Sequence, residues 1–130
     1  MGEPVLAPAG MTNVYSEHTF KIRCTFGASS AVTYRSKDAT IAKTTTTTFT
    51  VTLPKIYAEI TEFNQGWAKP TGADPVSMQI TTNNVATDGT LVLTSVSTNS
   101  AGVATAPASG DVVYIVLSAS CDSLNDRFTG

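Results

Sequence analysis

Residues 44–63 read TTTTTFTVTLPKIYAEITEF, and they decide the fold. A threonine run passes into strict alternation, in which Phe49, Val51 and Leu53 point one way and Thr48, Thr50 and Thr52 the other. A period of two is the signature of a strand with one buried face. Pro54 cannot donate to a sheet ladder, so it marks a bend, a bulge or an edge. A corner of this kind lets a chain leave one sheet of a sandwich and enter the other. The pattern then resumes over Lys55–Asn64, with Ile56, Ala58 and Ile60 on one face and Tyr57, Glu59, Thr61 and Phe63 on the other. The phase slips near Phe63, which suggests a bulge.

The same alternation recurs on both sides. HTFKIRCTF, His18 to Phe26, sends Phe20, Ile22, Cys24 and Phe26 inward. Short strands are expected over Ala31–Arg35 and Thr40–Lys43, with a turn at Ser36-Lys37-Asp38. Gln65–Pro75, QGWAKPTGADP, reads as a loop that carries Trp67, because two Gly and two Pro interrupt it. Val76, Met78 and Ile80 alternate again, turn signals stand at Asn83-Asn84 and Asp88-Gly89, and Leu91–Val96 follows as a strand. Residues 98–110 form a small-residue loop, long for a hairpin. DVVYIVLSAS, Asp111 to Ser120, is apolar on both faces through Leu117, which places it centrally with both faces covered. No amphipathic helix pattern appears. The expectation is an all-β, single-domain antiparallel β-sandwich or jelly-roll-like barrel over 18–120. An extended N-terminal arm (1–17) precedes it and a polar tail (121–130) follows.

The chain has 130 residues, enough for one domain with a real core. Only 14% of residues are charged, against roughly 25% in a typical domain. Its polar surface is therefore mostly hydroxyl and amide, which suits strands and suits contact with other protein without desolvating many charges. A net charge of −2 and the lack of a basic run in the sequence argue against nucleic acid and against an anionic membrane surface. The start, MGEPVLAPAG, has neither the charged nor the apolar region of a secretory signal, so synthesis in a cytoplasm is expected. Cys24 and Cys121 read as two buried thiols, with a late disulfide as the alternative.

Candidate chemistry is sparse. His18 is the single histidine, at the start of a strand, with no nucleophile or carboxylate beside it in sequence. Glu59 and Glu62, three apart on a strand, fall on opposite faces and so do not form an acid pair. Asp122 and Asp126 lack the spacing of a calcium loop. No metal-ligand spacing, phosphate loop or nucleophile elbow is present, and no cofactor or enzyme activity is expected. Trp67 with Tyr57 and Phe63 offers an aromatic platform for a glycan, but a lone Trp in a loop more often plugs a core or anchors an interface.

Three stretches, TTTFTVTLPKIYAEITEF, TTNNVATDGTLVLTSV and SGDVVYIVLSAS, together resemble the small β-rich virion proteins of tailed bacteriophages, most of all capsid decoration (cement) proteins. The resemblance is one of style and order of segments and covers most of 18–120. It implies a non-enzymatic protein on the capsid surface, contacting the major capsid protein and copies of itself as a dimer or trimer. Contact residues are expected from the arm (Val5, Leu6, Met11), from Trp67, and from the 98–110 loop (Asn99, Val103). Two alternatives stand beside it. One is a fibre or baseplate module that binds host glycan; the other is a tail-tube or neck component.

Overall fold

The computed structural model describes residues 17–69, 74–100 and 102–121. Eight strands follow in order: β1 Glu17–Phe26, β2 Val32–Ser36, β3 Thr40–Lys43, β4 Thr48–Thr52, β5 Glu59–Ala68, β6 Val76–Asn84, β7 Thr90–Ser97 and β8 Val112–Ser120. They form two four-stranded sheets, β2-β1-β8-β5 and β3-β4-β7-β6, in which every neighbouring pair is antiparallel. The protein is an all-β sandwich, as the alternation predicts. Strands β3 and β4 pair across the threonine run, where Thr45 Oγ1 accepts the backbone N–H groups of Thr47 and Thr48 and so makes the turn. The chain changes sheets between β2 and β3, β4 and β5, β5 and β6, and β7 and β8. Pro54 lies in the second of these crossings.

The core fills from both sheets. Ile22, Cys24, Phe26, Val113, Ile115 and Leu117 face Ile41, Phe49, Val51, Met78, Leu91 and Leu93, all essentially without solvent contact. Leu53, Tyr57 and Val85 close one end of the sandwich. That closure depends on Gly89, whose carbonyl accepts from Leu53 N–H at 2.8 Å. Gly89 has φ +77°, and a Cβ there would come within 2.8 Å of the Lys55 carbonyl oxygen. Only glycine satisfies both conditions.

Several expectations change. Trp67 lies in β5, not in a loop: Gly66 sits at an outward position where no side chain is needed, so it does not break the strand. The strand expected over Lys55–Asn64 begins at Glu59, because residues 53–58 are spent on the crossing and bury Tyr57 at the sandwich end. The bulge is real and falls between Ile60 and Glu62. It adds one residue to β5, so Glu59 opposes Ser120 and Glu62 opposes Ser118, two positions of one face. The two glutamates therefore share a face, contrary to the simple count. Strand β8 is central, between β1 and β5, but its outward side is open among the described residues: Tyr114 is 50% exposed, with Val112 and Val116 half-buried.

Both cysteines are free. Cys24 opposes Val113, whereas Cys121 follows the last residue of β8, eight residues farther along. At about 3.3 Å per residue they stand more than 20 Å apart, far beyond the reach of a disulfide. The alternative of a late bond within the chain is thereby excluded.

Candidate functional site

The two outer faces differ in chemistry. In β3-β4-β7-β6 the register places Thr40, Thr52, Thr90 and Asn84 in one row, Ala42, Thr50, Val92 and Thr82 in the next, and Thr48, Thr94 and Gln79 in a third. None of these outward positions carries a charge. Threonine hydroxyls bond one another and the backbone here: Thr44 with Thr50 at 2.9 Å, Thr94 to Thr81 at 3.1 Å, and Thr81 to the Val92 carbonyl at 3.1 Å.

The outer face of β2-β1-β8-β5 is charged and polarised. At one end stand Glu17, Glu59 and Glu62 around Ser118 and Ser120. Glu62 accepts from Ser118 Oγ and Asn64 Nδ2, and Glu17 accepts from Thr61. Toward the other end, Lys21, Arg23, Arg35 and Lys37 line a groove of about 370 Å³ with Tyr114 and Val116. These are four of the chain's eight cations. Arg23 and Arg35 are direct cross-strand partners, and like charges so placed repel. Arg23 is held by Tyr114, with Nε donating to the hydroxyl at 3.2 Å and the guanidinium 5.6 Å from the ring centroid. No carboxylate of the described residues is ion-paired with any of the four cations. Sequence showed no basic run because the cluster is assembled from two strands of a hairpin.

The aromatic residues do not form an open platform. Trp67 stacks on Phe26 at 5.9 Å, nearly parallel, and its indole N–H donates to Gln65 Oε1 at 2.8 Å. Tyr57 is buried, and Phe63 is half-buried against the core. Gln65 does more than hold the indole. Its amide accepts from Met78 N–H at 2.7 Å and donates to the Met78 carbonyl at 2.9 Å, clipping β5 of one sheet to β6 of the other.

Two further polar clusters sit in the sandwich. His18 Nδ1 lies 3.0 Å from the Tyr57 hydroxyl, with the rings edge-on. Burial pushes the Tyr57 phenol up, and Cys121 and Asp38 act in the same direction. The hydrogen bond forms with either group as donor, according to the His18 tautomer, and the pair orders the sandwich end. At the opposite end, Lys69 Nζ stands 2.9 Å from Asp111 Oδ2, and both side chains are largely buried. Asp111 also accepts from Ala108 N–H, and Lys69 donates to the Asp74 carbonyl. This pair anchors the return from the 98–110 loop into β8.

Of the expected contact residues, Val5, Leu6 and Met11 lie outside the described residues. Asn99 donates to Asp74 Oδ1 at 3.0 Å. Val103 is 54% exposed at the tip of a loop that folds back on β7, where Ser97 N–H bonds the Val103 carbonyl and Thr105 N–H the Ser95 carbonyl. Among the described residues, no three His, Cys, Asp or Glu side chains are grouped to hold a metal ion. No protein-family model, no curated protein and no solved structure matches this chain.

Proposed function

We propose that this chain is a non-enzymatic virion structural protein, a decoration protein that sits over junctions of a bacteriophage's major capsid protein and stabilises the shell. The observation that carries this reading is the uncharged outer face of β3-β4-β7-β6, with threonine at most of its positions. Docking such a face onto a protein lattice desolvates no charge, and the hydroxyls can trade water for partner carbonyls and amides. Each contact is modest, and many copies on one shell make the sum large. The exposed Val103 loop offers an apolar contact in addition. The alternative of a glycan-binding module is less well supported, since the Trp67 ring and its N–H are both engaged within the protein.

The test is a copy count in purified particles that carry the protein. Hundreds of copies, in simple ratio to the major capsid protein, support the role. A few dozen or fewer would redirect it to a fibre, neck or tail part, and absence from particles would sink it.

A further inference from the structure

We infer that the polarised outer face of β2-β1-β8-β5 is a self-association surface, covered by the same face of a second copy of this chain. Three observations converge. The central strand presents Tyr114 outward, still 50% exposed although Arg23 lies against its ring, with Val112 and Val116 half-buried beside it. Arg23 and Arg35 oppose each other across the hairpin with no carboxylate of the described residues to offset them, an arrangement that costs stability unless a counter-charge arrives from elsewhere. The required counter-charge exists on the same face: Glu17 and Glu62 lie at its other end, bonded to hydroxyl and amide groups and, among the described residues, to no cation.

The pattern is self-complementary. Glu17 and Arg23 are six residues apart on one strand, about 20 Å. A two-fold axis lying in the plane of the face, across the strands and midway between Val116 and Ser118, exchanges the two ends. Glu17 of each copy then meets Arg23 of the other, Glu62 comes to the level of the other's Lys21, and Val116 lies beside the axis. Such an isologous contact is closed, and each bond within it occurs twice. The face measures about 550 Å² in projection per copy, roughly 1,100 Å² across the pair, which reaches the size of a specific interface. A long polyanion fits worse, because the acidic end repels whatever the basic end attracts. The pairing leaves the threonine face free and does not depend on the virion role.

The experiment is sedimentation analysis of the full chain and two charge-reversed forms, R23E/R35E and E17K/E62K, each checked by thermal melt for retained fold. The wild type is expected to sediment as a dimer that weakens about tenfold as salt rises from about 0.02 to about 0.5 M. Each reversed form alone is expected to be monomeric, with self-association weakened on the order of a hundredfold. Mixed one to one, the two reversed forms are expected to pair with each other, since acids now outnumber bases on one face and bases outnumber acids on the other. A monomeric wild type at low salt overturns the inference. So does a dimer indifferent to both reversals, or a mixture that fails to pair although both forms melt like the wild type. None of these results bears on the copy count in particles, so the two proposals fail separately.

Discussion

The outer faces of the two sheets share an architecture and almost nothing else. Each is four antiparallel strands wide, and each backs onto the same core. One shows threonine rows with no charge. The other carries Glu17, Lys21, Arg23, Arg35, Glu59 and Glu62, sorted by sign along the strands. The segregation continues inside. Behind β3-β4-β7-β6, Ile41, Phe49, Val51, Leu91 and Leu93 hold nothing that titrates. Behind and beside β2-β1-β8-β5 lie Cys24 and the Lys69–Asp111 pair. The fold asks only for alternation, so the outward half of each strand is free to be written for contact.

The contrast can be broken most directly where charge goes inside. Lys69→Met should cost about 3 kcal/mol or more in urea unfolding, because it strands the Asp111 carboxylate. The double change K69M/D111L should regain most of that loss. If the single change costs less than about 1 kcal/mol, water reaches the pair and the charge is not structural.

The next effect is titration. Burial pushes the Cys24 thiol from 9.0 to about 12. The folded state therefore keeps a proton that the unfolded chain gives up. Stability from this group is complete below pH 9 and falls as pH rises toward 12, by about 1.4 kcal/mol per unit. The raised Tyr57 phenol works in the same direction above pH 10. The urea midpoint should fall between pH 9 and 10.5, with a shallower fall in Cys24→Ala. Equal slopes in the two proteins would remove Cys24 from the account.

Gln65→Ala should cost about 2 kcal/mol, since it leaves the Met78 backbone groups and the Trp67 N–H without their partners. Thr50→Val, on the neutral face, should stay within about 0.5 kcal/mol. A smaller difference between these two would mean that the sheets are held by core packing alone. The least effect is expected at Arg35→Gln. Measured in solutions too dilute for pairing, it should leave stability unchanged or raise it by about 0.3 kcal/mol at low salt, by relieving repulsion from Arg23. A clear loss would show that Arg35 has a stabilising partner within the monomer.

Sequence periodicity carried much of the fold and little of the contact surface. The alternations in β1 and β4 are local, so they could be read directly, and Pro54 located a sheet crossing; the apolar run of β8 told its central place but not its open outer side. The bulge after Ile60 could be suspected from the phase, but its effect on Glu59 and Glu62 could not, because that depends on the register with β8. Trp67 was obscured by Gly66 and the prolines nearby. The basic groove needs Lys21 and Arg23 beside Arg35 and Lys37, and the interior ion pair needs Lys69 beside Asp111. Both arise from strand pairing, which leaves no mark in either segment taken alone.

The Gln65 clip also limits how this sequence can drift. A side chain at position 65 must offer an acceptor and a donor at one reach, to the N–H and carbonyl of a single residue on the facing edge. Glutamate keeps the length and loses the donor. Asparagine keeps both groups and falls a methylene short. Outward threonines can exchange for serine, valine or glutamine at small cost, so the surface can be rewritten as partners change. Position 65 has no such freedom, and substitutions accepted there would have to arrive together with a rebuilt β5–β6 seam.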